Sequence, residues 1–63
     1  MNTIEEARKE AKAYSDKFLT VPYYIMHKEG KGYFVTKDEN RRRRATVFGW
    51  DFVAKYLDGE EIQ

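Results

Sequence analysis

Apolar residues recur at Ile4, Ala7, Ala11, Tyr14 and Phe18, a three-and-four spacing that lines one face of a helix. Just ahead of this run, Thr3-Ile4-Glu5-Glu6 matches a capping box. In that motif the Thr3 hydroxyl and the Glu6 carboxylate satisfy orphan backbone donors reciprocally. Glu5 and Glu6 suit the positive end of the helix dipole, and Lys17 the negative end. Pro22 pushes Val21 into an extended conformation, so the helix must end before it. These signals predict a helix over residues 4–18, with Phe18 buried between that helix and a sheet. The same spacing is also a heptad seam. With alanine at two of its five positions, however, it is too short and thin for a stable zipper, so a core-packing helix is favoured.

The period then changes from three-and-four to two. Tyr23-Tyr24-Ile25-Met26-His27 and Gly32-Tyr33-Phe34-Val35-Thr36 are β-rich runs flanking Lys28-Glu29-Gly30-Lys31, which predicts a hairpin over 23–36. Two turns fit. A type II′ turn at Gly30-Lys31 groups Tyr24, Met26, Tyr33 and Val35 on one face. A type I turn at Lys28-Glu29 with Gly30 as a bulge groups Tyr23, Ile25, Tyr33 and Val35.

Thr36-Lys37-Asp38-Glu39 is a second capping-box match, so residues 37–44 read either as a short polar helical turn or as a charged loop. After Gly49, the run 50–57 stops at Asp58-Gly59. As a strand it sets Trp50, Phe52, Ala54 and Tyr56 against Asp51, Val53, Lys55 and Leu57. As a helix it has a Trp50, Val53, Ala54 and Leu57 face with Gly59 as its cap. Its length suits a strand better, and the tail from Glu60 either frays or adds a short edge. The expected fold is α+β: an N-terminal helix packed on a small antiparallel sheet built from the 23–36 hairpin plus a third strand at 50–57. The alternative is αββα, with a C-terminal helix in place of that strand.

A length of 63 residues accommodates one small domain, 1–63, with a thin stability margin. Cysteine is absent and His27 is the one histidine, so disulfides, thiol chemistry and a zinc site drop out and no cofactor is expected. Aromatics supply the packing instead, at 16% of the chain. Twelve basic and eleven acidic residues leave a net charge of +1. No apolar run approaches the roughly 18 residues of a membrane span, nor does the N-terminus carry a secretory apolar region. A cytoplasmic location and no membrane partner are expected.

The chemical inventory argues against an enzyme. The single serine, Ser15, falls mid-helix, and His27 lies near a hairpin tip, whereas nucleophilic catalysis needs a nucleophile beside a positioned base. Glu5-Glu6 and Glu60-Glu61 read as dipole complement and solvated tail, and Gly30-Lys31-Gly32 lacks the spacing of a phosphate-cradling loop. One feature stands out: Arg41-Arg42-Arg43-Arg44. Four adjacent guanidiniums repel one another and serve no evident folding purpose, while each matches phosphate or carboxylate with a bidentate fork. Rings lie nearby in sequence at Tyr23, Tyr24, Phe34, Phe48 and Trp50, and cations beside stackable rings are the components of nucleic-acid binding. The candidate contact residues are Arg41, Arg42, Arg43, Arg44, Phe34 and Trp50. An acidic protein surface is the competing partner, and the near-zero net charge favours it. The arginines could also be solvated, or paired with Asp58, Glu60 and Glu61 within a homodimer. The expected function is thus a non-catalytic binding module for nucleic acid. The alternative is a protein-interaction or regulatory domain that uses its aromatic hairpin face.

Overall fold

A computed structural model describes residues 3–62. In chain order the elements are α1 (Ile4–Lys17), β1 (Tyr23–Lys28), β2 (Gly32–Thr36), α2 (Glu39–Val47), β3 (Asp51–Leu57) and β4 (Glu60–Ile62). The four strands form one antiparallel sheet in the order β2-β1-β3-β4. This is the expected α+β architecture, and the strand reading of 50–57 holds over its helical alternative.

Helix α1 begins as its sequence dictates. The Thr3 hydroxyl oxygen accepts the Glu6 N–H at 3.2 Å. The Glu6 carboxylate, rather than reaching a backbone donor, accepts the Thr3 hydroxyl at 3.0 Å. The buried stripe of α1 is Ala7, Ala11 and Ser15, narrower than the expected stripe and rotated from it. Small residues at this spacing let the helix backbone lie close to the sheet. Tyr14 and Phe18 fall on the flank, 41% and 44% exposed. Tyr14 there stacks on Tyr23 at 5.5 Å. The expectation that Phe18 is buried is therefore corrected. Phe18 is the C-cap, with φ −116° and ψ 81°, so its side chain leaves the helical face before it can reach the core.

Strand pairing decides which residues share a face. The hairpin pairs Lys28 with Gly32, and the Lys31 N–H donates to the Lys28 carbonyl at 2.9 Å. Gly30 takes φ 81° at the third position of this turn, a conformation that only glycine adopts without cost. The resulting faces are those of the bulge reading, Tyr23, Ile25, Tyr33 and Val35 together, although the turn residues lie one position further along. In β3 the register shifts between Ile25 and Met26, which pair with Ala54 and Phe52. Val53 is thus an inserted bulge residue. The expected alternation of Phe52 with Ala54 and Tyr56 is broken there. Ala54 and Tyr56 join Tyr23, Ile25, Ala7 and Ala11 in the core under α1, and Phe52 crosses to the other face. The tail adds a short edge strand, β4, paired to β3 from Lys55 to Leu57.

The second face carries Tyr24, Met26, Phe34 and Phe52, with α2 laid across it. Met26 is fully buried there and Tyr24 nearly so. The arginine segment is a helix, and a longer one than the expected 37–44. Asp38 caps it, accepting the Asn40 and Arg41 N–H groups at 2.9 and 3.3 Å. Thr36, the residue expected to cap it, instead accepts the Asp38 N–H at 3.1 Å. Among the described residues no helix is long and apolar enough to cross a membrane.

Beneath α1, burial and the Glu61 carboxylate, which also accepts a hydrogen bond from the hydroxyl, raise the Tyr56 pKa above its ordinary 10.0, with Arg8 in partial opposition. The folded state therefore holds this proton more tightly than the unfolded chain does. The stabilisation is complete below about pH 10 and is lost as pH rises through the folded value. Tyr56→Phe is expected to flatten the fall in melting temperature above that pH relative to wild type. An identical alkaline slope in the two proteins would contradict this.

Candidate nucleic-acid interface

The helical period separates the four arginines. Arg41, Arg44, Ala45 and Phe48 stand at i, i+3, i+4 and i+7, so they share one flank of α2. That flank forms one wall of a groove of about 420 Å³. Lys31, Tyr33 and Phe34 from the hairpin, with Trp50, form the other. The Arg41 guanidinium lies 4.8 Å from the centre of the Phe34 ring. Trp50 meets that ring edge-on at 4.8 Å.

Arg42 and Arg43 point elsewhere. The Arg42 guanidinium lies over Tyr24 and Phe52, 5.2 and 5.7 Å from their ring centres. There it covers the aromatic face of the sheet, a contact worth about 0.5–2 kcal/mol depending on desolvation. Its Nε is buried without a hydrogen-bond partner among the described residues. The idea that folding has no use for any of the four arginines is thus corrected at Arg42. Arg43 pairs with Glu39 at 3.2 Å, on the flank away from the groove. Arg41 and Arg44 have no acidic partner among the described residues. Intramolecular pairing with the acidic tail does not occur there: Glu61 pairs with Arg8 at 3.6 Å, and Asp58 accepts the Thr20 N–H at 2.8 Å.

The C-terminus of α2 fixes the aromatic part of the groove. The Gly49 N–H donates to the Thr46 carbonyl at 3.2 Å and the Trp50 N–H to the Ala45 carbonyl at 3.0 Å. Together with φ 92° at Gly49, these bonds make a Schellman motif. The Lys28 ammonium donates to the Phe48 carbonyl at 2.8 Å, a cation at the negative end of the helix dipole. The Phe48 and Trp50 backbones are therefore held rigidly on either side of one glycine. Of the rings considered from sequence, Tyr23 and Tyr24 are buried in the fold, whereas Phe48 is 67% exposed. Phe34 and Trp50 contribute to the groove largely through their contact with each other. Lys31, which reads in the sequence only as a turn residue, supplies a third cation.

Among the described residues, the groove lining contains no carboxylate, histidine or serine. A larger depression of about 500 Å³ between α1 and the β2 edge mixes Glu10 and Asp38 with Lys37 and Arg41, a balance of signs unsuited to a polyanion. Neither of the two residues weighed for catalysis lines the groove or this depression. His27 packs against Tyr33, with ring centres 4.5 Å apart. Ser15 is fully buried, its hydroxyl donating to the Lys12 carbonyl and accepting the Gly59 N–H. Among the described residues, no group of three or more His, Cys, Asp or Glu side chains could hold a metal ion.

No family model, curated protein or solved structure matches this chain. Any functional conclusion has to come from the groove itself. What it offers chemically is three cations around a set of aromatic rings, on a backbone fixed by a helix cap and a hairpin.

Proposed function

We propose that this domain is a non-catalytic nucleic-acid-binding module whose contact surface is the groove between α2 and the hairpin. One observation carries the proposal: Arg41 and Arg44, without acidic partners among the described residues, line the same groove as Phe34, Phe48 and Trp50. Phosphates supply the counter-charge that these guanidiniums lack, and a guanidinium holds a phosphate with two parallel hydrogen bonds. The low net charge is compatible with this, because the acidic residues are used away from the groove, Glu39 shared by Arg42 and Arg43 and Glu61 paired with Arg8, while the charged residues of the groove lining are all cationic among the described residues.

Lys31, Arg41 and Arg44 together can engage up to three phosphates, so the log–log slope of affinity against salt is expected to be roughly −2 to −3. The measurement is a titration of labelled single-stranded and duplex oligonucleotides at about 50 and 200 mM salt, the range over which phosphate binders weaken steeply. Absence of binding by both forms at the lower salt would contradict the proposal and leave an acidic protein surface as the partner. A second reading, a protein-interaction surface used by a partner or a second copy, is supported by Phe52 and Ile62, 49% and 39% exposed. Both lie on β3 and β4.

A further inference from the structure

We infer, on the basis of the nucleic-acid function proposed above, that the groove selects unpaired strands: a single base stacks on Phe48 while Lys31, Arg41 and Arg44 hold the phosphates beside it. Phe48 is 67% exposed, so covering its ring with a ligand would remove apolar surface from water, which is favourable. Its backbone is immobilised all the same. Its N–H donates to the Arg44 and Ala45 carbonyls, its carbonyl accepts the Lys28 ammonium, and the glycine cap follows directly. The fold thus presents an apolar ring on a rigid support without using that ring in its core.

The neighbouring rings are engaged differently. Phe34 has Arg41 over its ring and Trp50 roughly perpendicular to it, and Tyr33, Phe34 and Trp50 are all half-buried, so Phe48 is the most exposed ring among the described lining residues. A base in a duplex has both faces covered by its neighbours, and exposing one costs a few kcal/mol of unstacking. An unpaired base offers its face at once, and base–aromatic stacking tolerates any sequence. Duplex recognition by α2 would instead use the outward side of the helix. That side carries the Arg43–Glu39 pair and Val47, 81% exposed. A carboxylate facing phosphates there is repulsive, whereas the unpaired cations line the concave flank.

The test compares a short labelled oligothymidylate with the duplex it forms with oligoadenylate, and with inorganic polyphosphate, at about 50 mM salt. The probe on the protein is the fluorescence of Trp50, the one tryptophan in the chain. The single strand is expected to bind at least tenfold more tightly than the duplex and to perturb that fluorescence. Phe48→Ala is expected to weaken the single strand roughly 5- to 150-fold, the equivalent of one lost base stack, and to weaken duplex and polyphosphate much less. Phe48→Tyr, which keeps a ring, is expected to restore single-strand binding and so exclude a folding defect. Equal affinity for single strand and duplex, or for single strand and polyphosphate, would overturn the inference while leaving nucleic-acid binding in place, as would an unaffected Phe48→Ala. If neither nucleic acid binds, the inference falls together with the function on which it rests.

Discussion

Ile25→Ala is expected to lower the free energy of unfolding by about 2–5 kcal/mol, the range for truncating a fully buried aliphatic side chain. Ile25 is 0% exposed and sits at the middle of the sheet, paired with Val35 on one side and Ala54 on the other. Ala7 and Ala11 lie over it in the same cluster. Because the helix backbone already rests close to the sheet through these alanines, little room remains for collapse into the cavity. At about 0.05–0.15 kcal/mol per residue, a chain of 63 residues has a total stability of roughly 3–9 kcal/mol. The loss is thus comparable with the whole margin, and the variant should be largely unfolded in modest urea. Phe18→Ala makes the internal comparison. Its ring is 44% exposed at the helix C-cap, so its urea midpoint is expected to move far less. If Phe18→Ala proved the more damaging of the two, the placement of the core would be wrong.

Gly59→Ala is expected to cost about 1–3 kcal/mol through backbone strain alone, because Gly59 holds φ 80° and an alanine there would keep a strained left-handed conformation. A Cβ at this position would also collide with the Asp16 carboxylate, which Lys12 holds at 3.1 Å. The turn cannot simply move away. The Gly59 N–H is tied to the buried Ser15 hydroxyl at 3.0 Å, and Asp58 is tied to the Thr20 N–H. Shifting the turn would break these bonds, and an orphaned buried donor costs about 1–3 kcal/mol. In a domain of this size each kcal/mol lowers the melting temperature by about 4–8 °C, so calorimetry should show a fall of several degrees. An unchanged melting temperature would mean that the β3–β4 turn is not held to α1 as described.

How much of this was legible in the sequence follows from how local each signal is. The positions of helix α1 and of the hairpin are set by short-range periodicity, by Thr3 and Pro22, and by Gly30, and these elements emerge where expected, although the buried face of α1 and the turn residues differ. Ser15 was not legible as a structural residue, because its partner Gly59 is 44 positions away. The bulge at Val53 depends on cross-strand pairing, so the alternation within 50–57 could not reveal it. Phe18 continues the apolar spacing of α1, but the chain leaves the helix at that residue. For the candidate site a usable signal was present. Asp38 as N-cap and Gly49 as the residue after the C-cap bracket a helix, and that helix sets Arg41, Arg44 and Phe48 on one flank. Reading the segment as ending at Arg44 hid this. The inward turn of Arg42 depends on the rings of Tyr24 and Phe52 beneath it, which only the folded sheet assembles.

The most direct test of the groove as the contact surface is to compare single arginines that are adjacent in sequence but separated by the helix. Arg44→Gln removes a groove cation, and Arg43→Gln removes a guanidinium of the same formal charge on the opposite flank, paired with Glu39. Oligonucleotide affinity would be measured for both variants across a salt series. Arg44→Gln is expected to weaken binding and flatten the log–log slope by about 0.7–0.9, one phosphate contact, while Arg43→Gln leaves both close to wild type. Equal losses in the two variants would show that net charge, and not the groove, governs binding.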